Sequence, residues 1–370
     1  MHILIAANTA WYLNNFRGRL ITALIEEGHR VTALAPQDDY APRLAAKGAR
    51  YLPLPFCNTG TGPSEAATLL RMGRLLRAER PDLVLTYTPK INIYLSLAAR
   101  ALGIPVLANI SGMGRGFISG GLLKAVMLLL YRVALRHPSK VFFQNEDDLE
   151  EFTKLKLVDP CRTALLPGSG VDLGRFRPAA RPRREETVFL MVARLLTDKG
   201  AREYVAAARE LKKSYPQVRF QLLGPLQPPA PSAISAAELD TWRAEGVVEY
   251  LGSTDDVLPF YHAADCLVLP SYREGTPRTL LEGAATALPL VATDAVGCRN
   301  AVKDGVNGFL CRMKDAADLA ATMRRFLELP HAERERLGAA GRKRMELSFD
   351  EEIVITRYLK EIKRIEAGMA

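Results

Sequence analysis

Cysteine is scarce and scattered in this 370-residue chain: Cys57, Cys161, Cys266, Cys298 and Cys311 include no C-x-x-C pair. That spacing offers neither a disulfide framework nor a thiolate zinc site. No apolar run reaches the ~20 residues that a membrane-crossing helix needs. There is no fixed-period repeat, which excludes solenoids and propellers, and no basic tract interleaved with aromatics, which argues against a nucleic-acid-binding protein. The opening Met1-His2-Ile3-Leu4-Ile5-Ala6-Ala7 moves straight into a strand pattern without a basic stretch or cleavage site. With so few cysteines, that start leads us to expect a reducing, cytoplasmic setting.

What is present is a globular composition, 48% hydrophobic and 25% charged. The length calls for two domains of comparable size. The net charge of +9 is lopsided: residues 1–170 hold 20 Lys and Arg against 13 Asp and Glu, the remainder 30 against 28. A basic N-terminal half suits an anionic partner, whether nucleic acid, anionic lipid or a phosphate-bearing substrate.

Short apolar runs alternate with amphipathic helical patterns. The first half gives strands at Ile3–Ala6, Val31–Ala35, Leu83–Thr86, Val106–Asn109 and Val141–Gln144, with helices at Gly18–Glu27 and Ala66–Glu79. The pattern pauses at Pro167-Gly168-Ser169-Gly170-Val171-Asp172 and through Arg181-Pro182-Arg183-Arg184, the composition of an interdomain linker. It resumes with strands at Val188–Val192, Arg219–Leu223, Val247–Leu251, Cys266–Leu269 and Leu290–Ala292, and helices at Ala201–Ser214 and Pro277–Ala287. A proline-rich loop, Pro225–Pro231, interrupts this half, and a long amphipathic helix, Asp350–Ile365, ends it. Alternating β and α with apolar strands means parallel sheets covered on both faces. We therefore expect an α/β chain of two Rossmann-like, doubly wound domains facing a central cleft. The expected divisions are residues 1–170, a linker at 171–184, residues 185–349, and a helix at 350–370 crossing back to the first domain.

The stretch from Leu267 to Glu282 is the most informative. A strand ends near Leu269, a loop carries Glu274, and a helix is expected to begin at Pro277 behind Thr276 as N-cap. Free N–H groups and a partial positive charge at that start suit a diphosphate. Glu282 falls roughly 9 Å along the axis at 1.5 Å per residue, so one carboxylate can address a sugar and the other a ribose. Arg194 leaves the domain's first strand and Lys199 follows five residues later; two cations there can neutralise charge growing on a departing diphosphate.

These elements resemble the retaining glycosyltransferases of family 4, which have the fold called GT-B. Glu274 to Glu282 matches the family's E-x7-E signature, and Arg194 with Lys199 its phosphate-binding pair. Gly168-Ser-Gly-Val171-Asp172…Phe176…Pro178 is similar to its interdomain segment, and Thr293-Asp294…Gly297-Cys-Arg299…Asp304-Gly305-Val-Asn307-Gly308 to its closing motif. The similarity spans nearly the whole chain. It extends to bacterial enzymes that lengthen undecaprenyl-diphosphate-linked sugars, a subset including the N,N′-diacetylbacillosaminyl-diphospho-undecaprenol N-acetylgalactosaminyltransferases. Phe16-Arg17, Pro36-Gln37-Asp38, Lys90 with Asn92, Gly112–Gly121 and Pro231–Gly246 carry that part.

The resemblance implies roles. Glu274 would hold the donor sugar with backbone groups of Gly275, Thr276 and Pro277, and Glu282 the ribose. Arg194 and Lys199 would stabilise the leaving nucleoside diphosphate, and backbone near Gly224 and Leu251 would line the nucleotide pocket. The donor would be a UDP-sugar. The acceptor would be an undecaprenyl-diphosphate-linked saccharide in bacterial glycan assembly, or alternatively a soluble or different lipid acceptor. Attack from the face of the leaving group would make the enzyme retaining. In the first half Arg17, Lys90, Asn92 and Arg115 are the acceptor candidates.

Two features depart from many relatives. The first loop reads Asn8-Thr9-Ala10-Trp11 in place of a glycine pair, and Asn109-Ile110-Ser111-Gly112 has no histidine where one is common. None of the five histidines falls at a strand end facing the expected cleft, so all read as structural or exposed. Gly112-Met-Gly114-Arg115-Gly116 lacks the third glycine and the first-βα position of a dinucleotide fingerprint.

No D-x-D triplet is present; aspartates occur in adjacent pairs such as Asp38-Asp39 and Asp255-Asp256. We therefore expect no metal or other cofactor. Leu122–Arg136 has a broad apolar face, with Lys124, Arg132, Arg136 and Lys140 read as a basic stripe. Such a helix either packs on the domain's sheet or lies at an anionic membrane surface, which would make the protein peripheral on the inner face of the cytoplasmic membrane. The rival readings are a glycoside hydrolase using Glu274 and Glu282 and, more remotely, a nucleic-acid-binding protein driven by charge.

Overall fold

The computed structural model describes residues 1–54, 64–112, 121–180, 186–228, 230 and 232–368. Two compact units emerge. Unit 1 is Met1–Ser169 with the chain from Glu352 onward; unit 2 is Gly170–Glu351.

In unit 1, strands β1 (His2–Ala6), β2 (Arg30–Ala35), β3 (Arg50–Pro53), β4 (Leu83–Tyr87), β5 (Val106–Ile110), β6 (Lys140–Phe143) and β7 (Thr163–Leu165) form one sheet in the order 3-2-1-4-5-6-7. Helices α1 (Ala10–Glu26), α2 (Ala41–Ala46), α3 (Ser64–Glu79), α4 (Pro89–Ala101), α5 (Gly121–Ala134) and α6 (Glu146–Lys154) lie between the strands. Every strand pairing is parallel, beginning with Ile3 beside Val31 on one side and Leu83 on the other.

Unit 2 repeats the plan. Strands β8 (Val188–Val192), β9 (Arg219–Leu223), β10 (Glu249–Tyr250), β11 (Cys266–Leu269), β12 (Leu290–Thr293) and β13 (Gly308–Cys311) run in the order 10-9-8-11-12-13, all parallel. Its helices are α7 (Ala201–Lys212), α8 (Ala236–Ala244), α9 (Leu258–Ala263), α10 (Arg278–Ala285), α11 (Cys298–Ala301), α12 (Ala316–Leu327) and α13 (His331–Ser348).

Strand parity explains the layering. Side chains alternate across a strand, so Ile3 and Ile5 enter one apolar layer while Leu4 and Ala6 enter the other. In unit 2, Phe189 and Met191 pack with α7 and α12, whereas Val188, Leu190 and Val192 face α10. Both faces are covered, so the central strands are apolar throughout. The last helix, α14 (Glu351–Glu366), places Val354, Ile355, Tyr358 and Ile362 on one stripe against the first layer of unit 1.

Several expectations are corrected. Strands β3, β7 and β13 had no counterpart in the sequence reading; all three lie at sheet edges. α1 starts at Ala10, eight residues before the expected Gly18, because Thr9 caps it by accepting from Tyr12 N. Within the expected linker, Val171 and Phe176 are buried in unit 2, while residues 181–184 lie outside the described residues. The basic stripe also breaks up: α5 ends at Ala134, and Lys140 opens β6.

Candidate functional site

In a doubly wound sheet the strand order reverses once, and the loops on either side of that point diverge at the carboxyl ends of the strands, leaving room for a ligand. In unit 2 the reversal lies between β8 and β11. Arg194 and Lys199 follow β8, and Glu274 follows β11. The sequence separates Lys199 from Glu274 by 75 positions, and the topology brings them into contact.

Local sequence makes the contact possible. After β8 the chain forms a 3-10 turn, Thr197–Lys199, ended by Gly200 at φ 77°. A Cβ on Gly200 would lie 2.1 Å from the Pro270 carbonyl oxygen. Glycine therefore permits both the left-handed turn and the close approach of the β8 loop to the β11 loop. Tyr272 N then donates to Asp198 O at 2.9 Å, and Ser271 Oγ lies 3.1 Å from the same carbonyl.

Lys199 Nζ pairs with Glu274 Oε1, which also accepts from Ser271 Oγ at 2.8 Å. Both charged side chains are 15% exposed. They are shielded enough for a substantial interaction, yet open enough for a ligand to reach. The Glu274 amide donates to Val296 O at 2.9 Å, anchoring the loop from behind. The Cys298 thiol nearby is pushed well above its ordinary range, by burial first and then by the Glu274 charge.

The helix start differs from expectation. α10 begins at Arg278, with Pro277 as N-cap and Thr276 one residue outside. Proline at the cap has no side-chain acceptor, so the first helical amides gain no cap bond from it. The Pro277 carbonyl accepts from Leu280 N and Leu281 N. Glu282 is therefore the fifth helical residue, roughly 6 Å along the axis from Arg278, closer than expected. Helical side chains tilt towards the N-terminus, and the Glu282 carboxylate does so: Oε1 accepts from Arg278 Nε at 2.8 Å and Oε2 from Tyr261 OH at 3.0 Å. Burial pushes the Tyr261 phenol far above its ordinary range, with the Glu282 charge adding to it. Ser271, Tyr261 and Arg278 were missed in the sequence. Only Arg278 had a legible signal, its i,i+4 spacing to Glu282.

The nucleotide candidates form a second group. Gly224 follows β9 at φ 149°, and a Cβ there would fall 1.9 Å from Ala193 O. Its amide donates to Gly252 O at 2.7 Å, beside Leu251, whose own amide donates to Leu222 O. Gly224, Leu251 and the backbone of Arg194 are thus neighbours. The Arg194 side chain is exposed, and among the described residues no ion pair holds it.

The acceptor candidates of unit 1 are placed differently from one another. Arg17 is 1% exposed, with its guanidinium carbon 4.4 Å from the centre of the Tyr87 ring and 6.0 Å from that of Tyr12. It is a buried cation among aromatic faces, at the point between β1 and β4 where this sheet also reverses. Asn92 is equally buried and donates to Asn109 O at 2.8 Å. Asn109 in turn donates to Tyr358 OH of α14 and accepts from Gln144. Lys90 stands apart, paired with Glu65 at 2.9 Å. Arg115 lies outside the described residues. The structure therefore links Arg17 and Asn92 through an aromatic and amide cluster, and does not bring Lys90 into it. Among the described residues, no group of three or more His, Cys, Asp or Glu is arranged to hold a metal.

Residues 14–168 match the family model described as glycosyl transferase 4-like domain, and residues 174–344 match glycosyl transferases group 1. The chain is 28% identical over 370 aligned residues, 95% of each chain, to N,N′-diacetylbacillosaminyl-diphospho-undecaprenol alpha-1,3-N-acetylgalactosaminyltransferase of Campylobacter jejuni. It is 27% identical over 261 residues, 67% of each chain, to UDP-Gal:alpha-D-GlcNAc-diphosphoundecaprenol alpha-1,3-galactosyltransferase of Escherichia coli. Among solved structures, Anabaena HepE in complex with UDP-glucose is similar with a TM-score of 0.79 at 18% identity, over 98% of this chain and 99% of that one. Sucrose-phosphate synthase from Thermosynechococcus elongatus reaches 0.80 at 19% identity, over the full length of both. The two parallel sheets and these neighbours establish the fold as GT-B.

Proposed function

The chain belongs to the glycosyltransferases that join a glycosyl transferase 4-like domain to a glycosyl transferases group 1 domain, and from that premise we propose that it moves a sugar from a UDP-sugar to an undecaprenyl-diphosphate-linked saccharide. The sugar is a hexose or N-acetylhexosamine, transferred with retention and without a metal. The observation that carries this reading is the Lys199–Glu274 pair, fixed by Ser271 at the reversal point of unit 2. Support for the acceptor class comes from the two relatives whose names specify undecaprenol-linked substrates.

In this reading the diphosphate lies where Lys199 and Arg194 supply positive charge, with the uracil and ribose towards Gly224, Leu251 and Glu282. Glu274 accepts hydrogen bonds from hydroxyls of the donor sugar. As the bond from the anomeric carbon to the UDP oxygen breaks, the two cations stabilise the charge gathering on the diphosphate. The acceptor hydroxyl adds to the anomeric carbon from the same face, and its proton passes to the departing phosphate oxygen. The two cations take over the role that a divalent ion plays in metal-dependent transferases, so activity in EDTA is expected. Peripheral contact with an anionic membrane accompanies this acceptor class. Among the described residues no helix is long and apolar enough to cross a bilayer.

The test is a panel of nucleotide sugars incubated in EDTA with a polyprenyl-diphosphate-linked saccharide, with product mass and anomeric configuration as readouts. One UDP-sugar should give a single added residue with the donor's configuration. Inverted product, dependence on manganese or magnesium, or steady release of free sugar without acceptor would each overturn the corresponding part.

A further inference from the structure

The first loop of unit 1 leads into an aromatic side chain at the end of the sheet where a ligand would arrive. The chain has two tryptophans. Trp242 is buried at 4% exposure, whereas Trp11 is 43% exposed. Trp11 is the second residue of α1, the helix that follows β1. It therefore stands past the carboxyl end of β1, at the point where the strand order reverses between β1 and β4. Open α/β sheets bind ligands at that end. Tryptophan is large and on average highly buried, so an open one in this position marks a contact surface.

The ring is braced from within the unit. Its centre lies 5.4 Å from that of Phe16, with the two planes at 80°. Phe16 is 4.9 Å from Tyr12, and Tyr12 is 6.0 Å from Tyr87, the ring that covers Arg17. A column of rings thus runs from the surface to the buried cation, and a side chain fixed in this way loses little freedom on binding. The groups around it are polar and acidic. Asn14 and Asn15, three and four positions on, are its neighbours along the helix surface, and their side-chain amides meet at 3.2 Å. Trp11 N donates to Asp38 Oδ2 at 2.9 Å, and Tyr12 N donates to Thr9 Oγ1 at 3.0 Å. A carboxylate therefore takes an amide that an anion at this helix start would use, and exposed Asp39 follows it. Such surroundings repel phosphate and suit hydroxyl groups.

We propose that Trp11 is the platform on which a pyranose ring of the acceptor saccharide stacks. A pyranose turns a patch of C–H groups outward on its face and carries hydroxyls around its edge. The negative face of the indole attracts the polarised C–H groups, and stacking removes apolar area of both rings from water. The carboxamides of Asn14 and Asn15 and the Asp38 carboxylate offer hydrogen bonds to the edge hydroxyls. The combination of an open aromatic with uncharged and acidic neighbours fits a neutral sugar, and fits neither a diphosphate nor an anionic surface. The inference rests on the reading of a saccharide acceptor and adds to it the residue that recognises the sugar.

The test uses the fluorescence of the full wild-type chain. Acrylamide, a neutral quencher, reaches the exposed Trp11 far more readily than the buried Trp242. The probes are short-chain, water-soluble prenyl diphosphates bearing glucose, galactose, N-acetylglucosamine, N-acetylgalactosamine or no sugar. At least one sugar-bearing compound should shield Trp11 from the quencher, and the sugar-free compound should not. With the best acceptor of the set, Trp11→Ala should raise the acceptor KM by about tenfold and leave the donor KM and the melting temperature unchanged. Trp11→Tyr keeps a ring and should stay within about threefold of wild type. No shielding by any compound, equal shielding by the sugar-free one, or an unchanged acceptor KM in Trp11→Ala would overturn the inference. So would shielding that grows with protein concentration alone, since a second copy would then cover the ring, or shielding by phosphatidylcholine vesicles without acceptor. A compound that shields Trp11 but is glycosylated from no UDP-sugar would leave the platform standing and sink the transfer reading. Glycosylation with Trp11 open throughout would do the reverse.

Discussion

Removing either partner of the Lys199–Glu274 pair should change stability in the same direction and nucleotide affinity in opposite directions. Two unit charges about 4 Å apart interact by about 4 kcal/mol at an effective dielectric near 20, before desolvation and ordering are subtracted. Exposed pairs retain about 0–1 kcal/mol, and truncating one partner of a fully buried pair costs about 3–5. At 15% exposure on each side, a net coupling of about 1–2 kcal/mol is the reasonable value, discounted for solvent screening. For a unit the size of Gly170–Glu351, that is a loss of roughly 2–8 °C in melting temperature for Lys199→Gln or Glu274→Gln. A double-mutant cycle should recover the same coupling.

Binding separates the two variants. Lys199→Gln deletes positive charge from the proposed diphosphate position and should weaken UDP by about tenfold or more, since a charge-assisted hydrogen bond contributes about 1.5–3 kcal/mol. Glu274→Gln removes a negative charge and releases Lys199. A like charge in this corner repels the diphosphate by an amount on the order of 1 kcal/mol once screened, so UDP should bind about fivefold tighter. Transfer by Glu274→Gln should nevertheless fall by about 10²-fold or more, because the lost contact is to the sugar during reaction. Calorimetric titration with UDP and initial rates of transfer measure both effects. If UDP affinity is unchanged in both variants while stability falls, the pair is a structural ion pair and the donor assignment is wrong.

Tyr261→Phe should cost about 1–2 kcal/mol in chemical denaturation, since it leaves one oxygen of the buried Glu282 carboxylate without its donor; a change under a few tenths would show that water replaces the phenol. Arg17→Met should leave stability within about 1 kcal/mol, because an apolar side chain of similar length avoids desolvating a cation, while raising the KM for the acceptor without altering that for the donor. Unchanged acceptor KM would confine Arg17 to packing. The thiols of Cys266 and Cys298 are raised far above the ordinary value and that of Cys311 to about 12, in each case chiefly by burial. In a Cys57→Ser background only the exposed Cys161 should react with a thiol reagent under native conditions, with the other three released by denaturant. The linkage has a definite sign: thiols that stay protonated when folded but ionise when unfolded make stability fall as pH rises above about 9. Urea midpoints that do not decline between neutrality and pH 10 would contradict this.

Legibility of the fold in the sequence followed burial. Val188–Val192, Arg219–Leu223 and Cys266–Leu269 occupy interior positions of their sheet and have the bounds read from their apolar runs. β3, β7 and β13 went unread because edge strands are short and less apolar: Arg50–Pro53 ends in proline and is half exposed, Thr163–Leu165 has three residues, and Gly308–Cys311 opens with glycine. At the site, Glu274, Glu282, Arg194 and Lys199 were visible as residue types following strand patterns. Ser271 and Tyr261 were not, since a serine in a loop or a tyrosine on a short helix has no distinguishing local signal.

By itself the sequence determined the alternation of strand and helix, and with it two parallel sheets, because side-chain periodicity is a local property of the chain. It also determined that a loop with one acid and a helix with another follow the same strand. Only the tertiary structure decided which charges meet. Lys199 reaches Glu274 because β8 lies beside β11, and Glu282 is held by Tyr261 and Arg278. Arg17 is sealed against Tyr87 while Val126, Leu129 and Val133 are left uncovered. Those outcomes depend on which strands become neighbours and how far a side chain extends once they do, and close packing settles both over distances that no local pattern encodes.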